Sequence, residues 1–249
     1  MSPQRIEMTD GFVFYSPSER DARFIYQEIF RHETYSLAGL PDAPVVVDVG
    51  ANVGLFSLYT KQVRPKARVL AFEPAPENLE AMRLNVELHD VTDVTVHECG
   101  LGSRTGEATF TYYPNLPGNS TFTPQDKAMA KDLMAARIGR ESTEQLYTPT
   151  ELVVRVERLS RVLAEHHPDV DTVDLLKIDV EGTELDVLLG IDDADWPKVR
   201  AVELEVQDTA GSRLADIETL LRDQGFLVTS ELHPLMPQNM RFFNVAAVR

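Results

Sequence analysis

Cysteine is nearly absent: Cys99 is the only one in 249 residues. A single thiol allows no internal disulfide and no zinc site built on cysteine. Basic residues are also scarce. Lys and Arg number 24 against 40 Asp and Glu, a formal charge of −16. Phosphate-backbone binding needs clustered cations, so this balance argues against nucleic acid as a partner and against an anionic membrane surface. No apolar run approaches the roughly 18 to 20 residues of a membrane span. Residues 1–10 mix charges and lack the apolar stretch of a signal peptide. What is present is ordinary for a globular domain, with 43% hydrophobic and 26% charged residues. The length is ample for a full core. The expectation is a cytoplasmic protein that handles a small molecule or a carrier-tethered group.

Residues 1–40 read as an N-terminal cap segment. Phe12, Val13, Phe14 and Tyr15 suggest a strand, and Ser16-Pro17-Ser18 suggests a turn and helix cap. Phe24, Ile25, Ile29 and Phe30 then recur at helical spacing, predicting an amphipathic helix over 18–31. From 41 to 249 the pattern is one domain in which strand and helix alternate. Val45-Val46-Val47-Asp48-Val49 has the run of a strand buried on both faces. A helix follows over 54–63, a strand over 68–72, a helix over 76–88 opened by Pro76, and a strand over 94–96. This alternation predicts an α/β fold with a doubly wound, mostly parallel sheet. It breaks over about 103–157, which reads as an insertion or cap. There, 106–113 suggests an exposed strand, 114–119 a loop, 125–140 a surface helix and 152–156 another strand. Alternation resumes with a strand over 173–178, a helix over 184–189 and a strand over 199–206. Leu214, Ile217, Leu220 and Leu221 form a helical stripe ended by Gly225, and strands at 226–229 and 242–248 finish the sheet.

Three places carry chemistry. In Asp48-Val49-Gly50-Ala51-Asn52-Val53-Gly54 a buried strand turns into a helix, and such a turn presents amide N–H groups at a helix start. It is not Gly-x-Gly-x-x-Gly, so the dinucleotide fingerprint is not met. Glu73 ends the next strand, 23 residues after Gly50. An acid there can accept hydrogen bonds from a ribose diol. Together these point to an adenosine-containing cofactor, and without a phosphate-binding fingerprint S-adenosylmethionine fits better than NAD. Third, the strand ending in Lys177-Ile178-Asp179 runs into Glu181 and Glu184. Acids complement a helix N-terminus, but a Lys and an Asp at the end of a buried strand point to function.

These motifs, with Pro74, Asn78 and the string Lys177-Ile178-Asp179-Val180-Glu181-Gly182, resemble the FkbM family of S-adenosylmethionine-dependent methyltransferases over about residues 20–248. The resemblance implies a class I methyltransferase (Rossmann-like) fold with an antiparallel last strand. It implies that Gly50, Asn52 and Gly54 line the methionine end of the cofactor, with Asp48 at the same turn. Glu73 would hold the ribose hydroxyls, Pro74 and Asn78 would sit beside ribose and adenine, and Gly100 and Leu101 would meet the adenine edge. The implied reaction is O-methylation of a natural-product hydroxyl, on a polyketide, peptide or sugar-like molecule. Asp179 is the leading candidate to orient or deprotonate the acceptor, Glu205 the second and Glu181 the third. Relatives in natural-product biosynthesis carry His where Gln207 stands, so no His base transfers to that position.

Asn119 and Ser120, in the polar loop of the insertion, are candidate acceptor contacts. His233 has reach to the sheet edge as a further contact, although a lone loop histidine reads first as a surface residue. His166 and His167 read as partners of a helix dipole, Cys99 as a small buried hydrophobe, and Tyr15, Tyr26 and Tyr35 as core aromatics or a pocket cover. No metal is expected. Oxygen ligands suited to Mg²⁺ would have to come from Asp179 with Glu205 or Asp208. The competing readings are an NAD-dependent oxidoreductase on a related sheet and a cofactor-binding homologue without turnover.

Overall fold

The computed structural model describes residues 2–32, 34–209 and 211–249; Met1 and Glu33 of the N-terminal segment, and Ala210, lie outside the described residues. The chain opens with an antiparallel pair, β1 (Gln4–Glu7) and β2 (Val13–Ser16). Helix α1 (Glu19–Tyr26) follows, continued by a π-helical turn, Gln27–Arg31. Ser18 caps α1 by accepting the Asp21 N–H, and Glu19 and Asp21 lie at the positive end of the helix dipole. Next come β3 (Val45–Val49), α2 (Leu55–Val63), β4 (Arg68–Phe72), α3 (Pro76–Leu88) and β5 (Val94–His97), close to the predicted bounds.

The alternation then gives way to β6 (Gly100–Leu101), β7 (Gly106–Tyr112), α4 (Ala128–Ile138), α5 (Arg140–Leu146) and β8 (Thr150–Glu157). The three strands form their own sheet in the order β6-β8-β7. The strand at 106–113 is exposed only in its first half: Phe110 and Tyr112 are buried against Ala75 and Val154. The helix expected over 125–140 is divided. A 3₁₀ turn, Pro124–Lys127, precedes α4, and Gly139 at φ +87° separates α4 from α5.

The chain ends with α6 (Leu159–His166), β9 (Leu175–Ile178), α7 (Glu184–Leu189), β10 (Ala201–Gln207), α8 (Arg213–Asp223), β11 (Leu227–Leu232) and β12 (Phe242–Val248). The main sheet has seven strands in the order β11-β12-β10-β9-β3-β4-β5. Pairing from β10 to β5 is parallel, and β12 runs antiparallel to both of its neighbours. This is the doubly wound α/β sheet with an antiparallel last strand that the sequence predicts.

Strand alternation divides the core. Val46 points to one face, where Phe56, Met82, Phe14 and Tyr26 pack; Val47 and Val49 point to the other, against Leu163, Leu188 and Ile217. The N-terminal segment is tied to the first face by Asn85, whose amide donates to the Tyr15 and Val53 carbonyls and accepts the Tyr15 N–H. Tyr26 and Tyr15 belong to this packing; Tyr35 reaches the site described below. No helix of the described residues is long and apolar enough to cross a membrane.

Candidate active site

At β3 the strand order reverses, with β4 on one side and β9 on the other. Ligands of open α/β sheets bind at the carboxyl edge of such a point. A cavity of about 430 Å³ lies here. It is lined by Gly50, Asn52, Glu73, Pro74, Asn78, Gly100 and Leu101, by Asn119 and Ser120, and by Asp179, Glu181 and Glu205. Twelve residues singled out in the sequence thus meet in one space.

The turn after β3 is built by packing. Gly50 and Ala51 donate their N–H groups to the Phe72 carbonyl at 3.0 and 2.9 Å. Gly50 has φ +76°, and a Cβ there would lie 1.8 Å from the Asp179 backbone oxygen, so only glycine fits. Asn52 is also left-handed, at φ +51°, and its side-chain oxygen accepts the Val53 N–H at 2.7 Å. Its own N–H donates to Glu73 Oε2 at 2.9 Å. Glu73 Oε1 accepts the Ala75 N–H at 2.8 Å and the Asn78 amide at 3.3 Å. Burial pushes the Glu73 carboxyl up to about 7 despite these donors. Each carboxylate oxygen has a second lone pair, and the Asn78 side-chain oxygen is buried without a partner. The pair is a desolvated acceptor set suited to the hydroxyls of a nucleoside ribose.

Two predicted cofactor residues lie outside the cavity lining. Asp48 is fully buried beneath the turn, where it accepts the Ser57 hydroxyl at 2.8 Å and pairs with Lys177 Nζ at 3.2 Å. It fixes the strand and does not face the space. The Cβ position of Gly54 is met by Met82 at 2.9 Å, so this glycine accommodates a core side chain rather than a ligand. Lys177 also donates to the Gly50 carbonyl at 3.0 Å. Burial alone would lower its pKa, but Asp48 and Asp179 outweigh that and hold it above its ordinary value.

The acids form the far wall. Asp179 Oδ2 accepts the Tyr35 hydroxyl at 3.1 Å and lies 3.8 Å from Lys177 Nζ. Glu181, at φ +57°, is ion-paired with Lys127, which is 1% exposed. The Thr121 hydroxyl donates to the Glu181 carbonyl at 2.7 Å, so the insertion is fastened to the β9–α7 loop at this point. Glu205 projects from β10. Burial, with the Asp179, Glu28 and Glu181 carboxylates beside it, pushes its pKa well above the ordinary value, and Lys127 opposes the shift. Asp208, considered above with a metal, is held instead by Arg213 N–H at 3.0 Å and by Arg241 at 2.6 Å, and it does not line the cavity.

His233 corrects the surface reading: it is buried behind Glu205, with Nε2 2.9 Å from Glu28 Oε1 and 3.5 Å from Glu205 Oε2. It does not line the cavity itself. His167 is likewise no simple dipole partner. Its ring lies against Arg68 and its Nε2 is 2.8 Å from His97 Nε2; burial and Arg68 lower its pKa, which disfavours the cation. Asn119 accepts the Tyr147 hydroxyl at 3.1 Å, and Ser120 accepts the Tyr113 N–H at 3.0 Å.

Much of the rest of the lining is an apolar arm formed by Phe24, Ile25, Leu116, Leu133, Met134 and Met236, with Arg20, Asp21 and Arg137 beside it. None of these residues was singled out for function in the sequence, nor were Lys127 or Glu28. Glu28 carried one usable signal: it stands at helical spacing from Phe24 and Ile25, an acid on an apolar stripe.

Comparison with known proteins adds to this geometry. Residues 48–228 match the family model of the methyltransferase FkbM domain. The chain is similar to methyltransferase sdnD of Sordaria araneosa, at 42% identity over 92% of this chain and 91% of the relative. It is similar to methyltransferase 1 of Beauveria bassiana, at 38% identity over 99% and 98%, and to 31-O-demethyl-FK506 methyltransferase FkbM of Streptomyces tacrolimicus, at 36% identity over 93% and 92%. Among solved structures, methyltransferase FkbM of Methylobacillus flagellatus superposes with a TM-score of 0.57 at 18% identity, covering 89% of this chain and 47% of its own. Precorrin-6y C5,15-methyltransferase of Geobacter metallireducens gives 0.50 at 16% identity, over 88% and 87%.

Proposed function

Because the chain belongs to the FkbM methyltransferase family and has the class I methyltransferase fold, we propose that it transfers a methyl group from S-adenosylmethionine to a hydroxyl of an apolar natural-product molecule. One observation carries the reading: the Glu73–Asn78 acceptor pair, three carboxylates and a set of apolar side chains all line a single cavity. The donor set fits an adenosine group, since Glu73 is desolvated and Asn78 has a buried oxygen without a partner. When bound, S-adenosylmethionine supplies an electrophilic methyl on a positively charged sulfur.

The residues then have distinct tasks. Glu73 and Asn78 hold the ribose hydroxyls, and the Gly50–Asn52 turn shapes the methionine end. Asp179, Glu181 and Glu205 give the middle of the cavity the negative field that a sulfonium requires. The apolar arm places the acceptor, and alignment of the two reactants supplies much of the rate. A carboxylate removes the acceptor proton. The name of the Streptomyces relative, with its 31-O-demethyl substrate, supports oxygen as the methylated atom. The acceptor is a free or carrier-tethered small molecule, and the chain works in the cytoplasm.

Calorimetry tests the cofactor directly. S-Adenosylmethionine and S-adenosylhomocysteine are expected to bind at micromolar concentration and NAD not at all. A panel of apolar alcohols, read by formation of S-adenosylhomocysteine, then tests transfer. Failure of both adenosyl ligands to bind would overturn the proposal, and binding without turnover across the panel would favour a non-catalytic homologue.

A further inference from the structure

Glu28, Glu205 and His233 bring three buried ionisable side chains together at the back of the acid wall. We infer that Glu205 is the base that takes the acceptor proton, and that His233 and Glu28 are positioning residues that hold it for this task. The inference rests on the methyl-transfer reading and names the residue that completes it.

Each member arrives from a different element. Glu28 sits in the π-helical turn Gln27–Arg31. Such turns shift side chains out of α-helical register and recur at functional sites. Glu205 comes from the central strand β10, and His233 from the loop after β11, where its N–H is bonded to the Phe242 carbonyl at 2.9 Å. The Leu235 N–H donates to His233 Nδ1 at 3.2 Å. That leaves the ring hydrogen on Nε2, between Glu28 Oε1 at 2.9 Å and Glu205 Oε2 at 3.5 Å. Nε2 and Glu28 Oε1 nevertheless form no aligned hydrogen bond. Nε2–H stands within contact distance of both carboxylates and is aligned with neither.

The same tautomer argues against a metal. An imidazole that ligates through Nε2 presents a lone pair there and donates its other N–H to an acceptor. Here Nδ1 is itself the acceptor. The trio is arranged to share protons, not to hold a cation.

The three carboxylates of the wall differ in what neutralises them. Asp179 accepts the Tyr35 hydroxyl and faces Lys177, and Glu181 is paired with Lys127. Burial still raises the Glu181 carboxyl, but the Lys127 ammonium in contact with it opposes the rise and occupies the group. Among the described residues Glu205 has no Lys or Arg within ion-pair distance; it faces Asp179, Glu181 and Glu28, with His233 behind, and feels Lys127, Lys177 and Tyr35 at longer range. Its proton affinity is raised by burial and those acids, and in its ionised form a stronger base removes a hydroxyl proton more readily. In the step, the acceptor oxygen bonds to the methyl carbon and its proton passes to Glu205. The carbon–sulfur bond breaks with its electron pair left on sulfur. The His233 Nε2–H keeps its contact with Glu28 as Glu205 becomes neutral.

The test uses the full chain labelled with ¹³C at glutamate side-chain carboxyls. The Glu205 signal is assigned by its loss in Glu205→Gln. The Nε2–H dipole faces the Glu205 carboxylate at 3.5 Å and favours its ionised form, so His233→Ala is expected to move the Glu205 titration up by about one pH unit. His233→Asn, which keeps an N–H donor, should restore part of the shift. An unmoved titration in folded His233→Ala overturns the positioning role, and if that variant fails to fold, a donor-retaining His233→Asn with wild-type melting and a titration already shifted by the full amount does the same. With an acceptor from the alcohol panel, Glu205→Gln is expected to lower kcat roughly 100-fold or more, with the KM for S-adenosylmethionine little changed. His233→Ala should also move the acidic limb of the kcat–pH profile upward. Turnover in Glu205→Gln close to wild type overturns the assignment of the base, as does one-to-one Mn²⁺ or Zn²⁺ binding that disappears in His233→Ala. If the wild type forms no S-adenosylhomocysteine with any acceptor, the methyl-transfer reading itself fails, a result distinct from an unimpaired Glu205→Gln.

Discussion

At one end of the cavity Gly50, Asn52 and Glu73 stand at the tips of two adjacent parallel strands. At the other, Phe24, Leu116, Leu133 and Met236 come from α1, the loop after β7, α4 and the loop after β11. The first end inherits its geometry from the sheet: the Phe72 carbonyl holds two amides of the turn, and the Asp179 backbone presses on Gly50. The second is assembled from segments that meet only on folding, and their side chains can change without disturbing a strand. A shared reaction needs the first arrangement and individual acceptors need the second. This is why family membership identifies a cofactor far more readily than a substrate.

Two glycines measure the contrast. Gly50 and Gly139 both have positive φ, +76° and +87°. A Cβ at Gly50 collides with the Asp179 backbone, whereas at Gly139, between α4 and α5, it meets nothing within 4 Å. Gly139→Ala is therefore expected to cost about 1 to 3 kcal/mol, the penalty of placing alanine at φ +87°, ψ 155°, a region essentially reserved for glycine. Gly50→Ala should cost roughly 4 kcal/mol or more, because β3 and β9 must separate. Urea unfolding followed by circular dichroism checks both. Equal costs would mean that the turn is as adaptable as the insertion, and the contrast would collapse.

Glu73→Ala is next in size. A buried hydrogen bond to a charged group contributes roughly 1.5 to 3 kcal/mol, so S-adenosylhomocysteine affinity should fall by about ten-fold or more. Calorimetry decides it, and unchanged affinity would remove the ribose assignment.

The cofactor end was legible because its signals are local: a five-residue apolar run, a glycine turn and an acid at the next strand's end. Even so, the sequence could not separate Gly50, required by the sheet, from Gly54, required by Met82, nor show that Asp48 lies under the turn bonded to Lys177. The acceptor end was not legible. Glu28 and His233 are 205 residues apart and meet only because the N-terminal segment and the β11–β12 loop converge. His233 read as a surface residue because nothing near it in sequence announces burial. The π-helical turn that carries Glu28 has no pattern distinct from the amphipathic helix it extends.

A pH scan bears on both ends together. Burial raises Glu73, Glu184 and Glu203 to about 7 and Asp21 to about 6. An acid whose pKa is higher folded than unfolded binds more protons in the native state. Its contribution is full below the ordinary carboxylate range and is lost as pH rises through the folded value. Melting temperature is therefore expected to rise as pH falls from 8 to about 6.5, below which His97, held down to about 4 by burial, and His167 oppose the acids. The acids with lowered values, such as Asp10, Asp169 and Glu218, lose their contribution only below that window. S-Adenosylhomocysteine should offset part of the loss at high pH, because its hydroxyls favour ionised Glu73. A melting temperature that climbs with pH across the window would show that these acids are not desolvated.

The smallest effect lies in α4 of the insertion. Helix α4 contains no fully buried side chain, and Leu133 is only half-buried although it lines the apolar arm. A leucine in a packed core costs roughly 2 to 5 kcal/mol on truncation. At Leu133 part of the side chain is already in water, and alanine is the better helix former. Leu133→Ala is thus expected to change stability by less than about 1 kcal/mol and to leave S-adenosylhomocysteine affinity untouched. Its consequence should be confined to the acceptor: a wider arm that admits bulkier alcohols and holds small ones less well, read as KM across the panel. Loss of cofactor affinity in this variant would mean that α4 and the strand tips act as one unit. An unaltered KM for every alcohol would mean that the acceptor does not enter the arm at all.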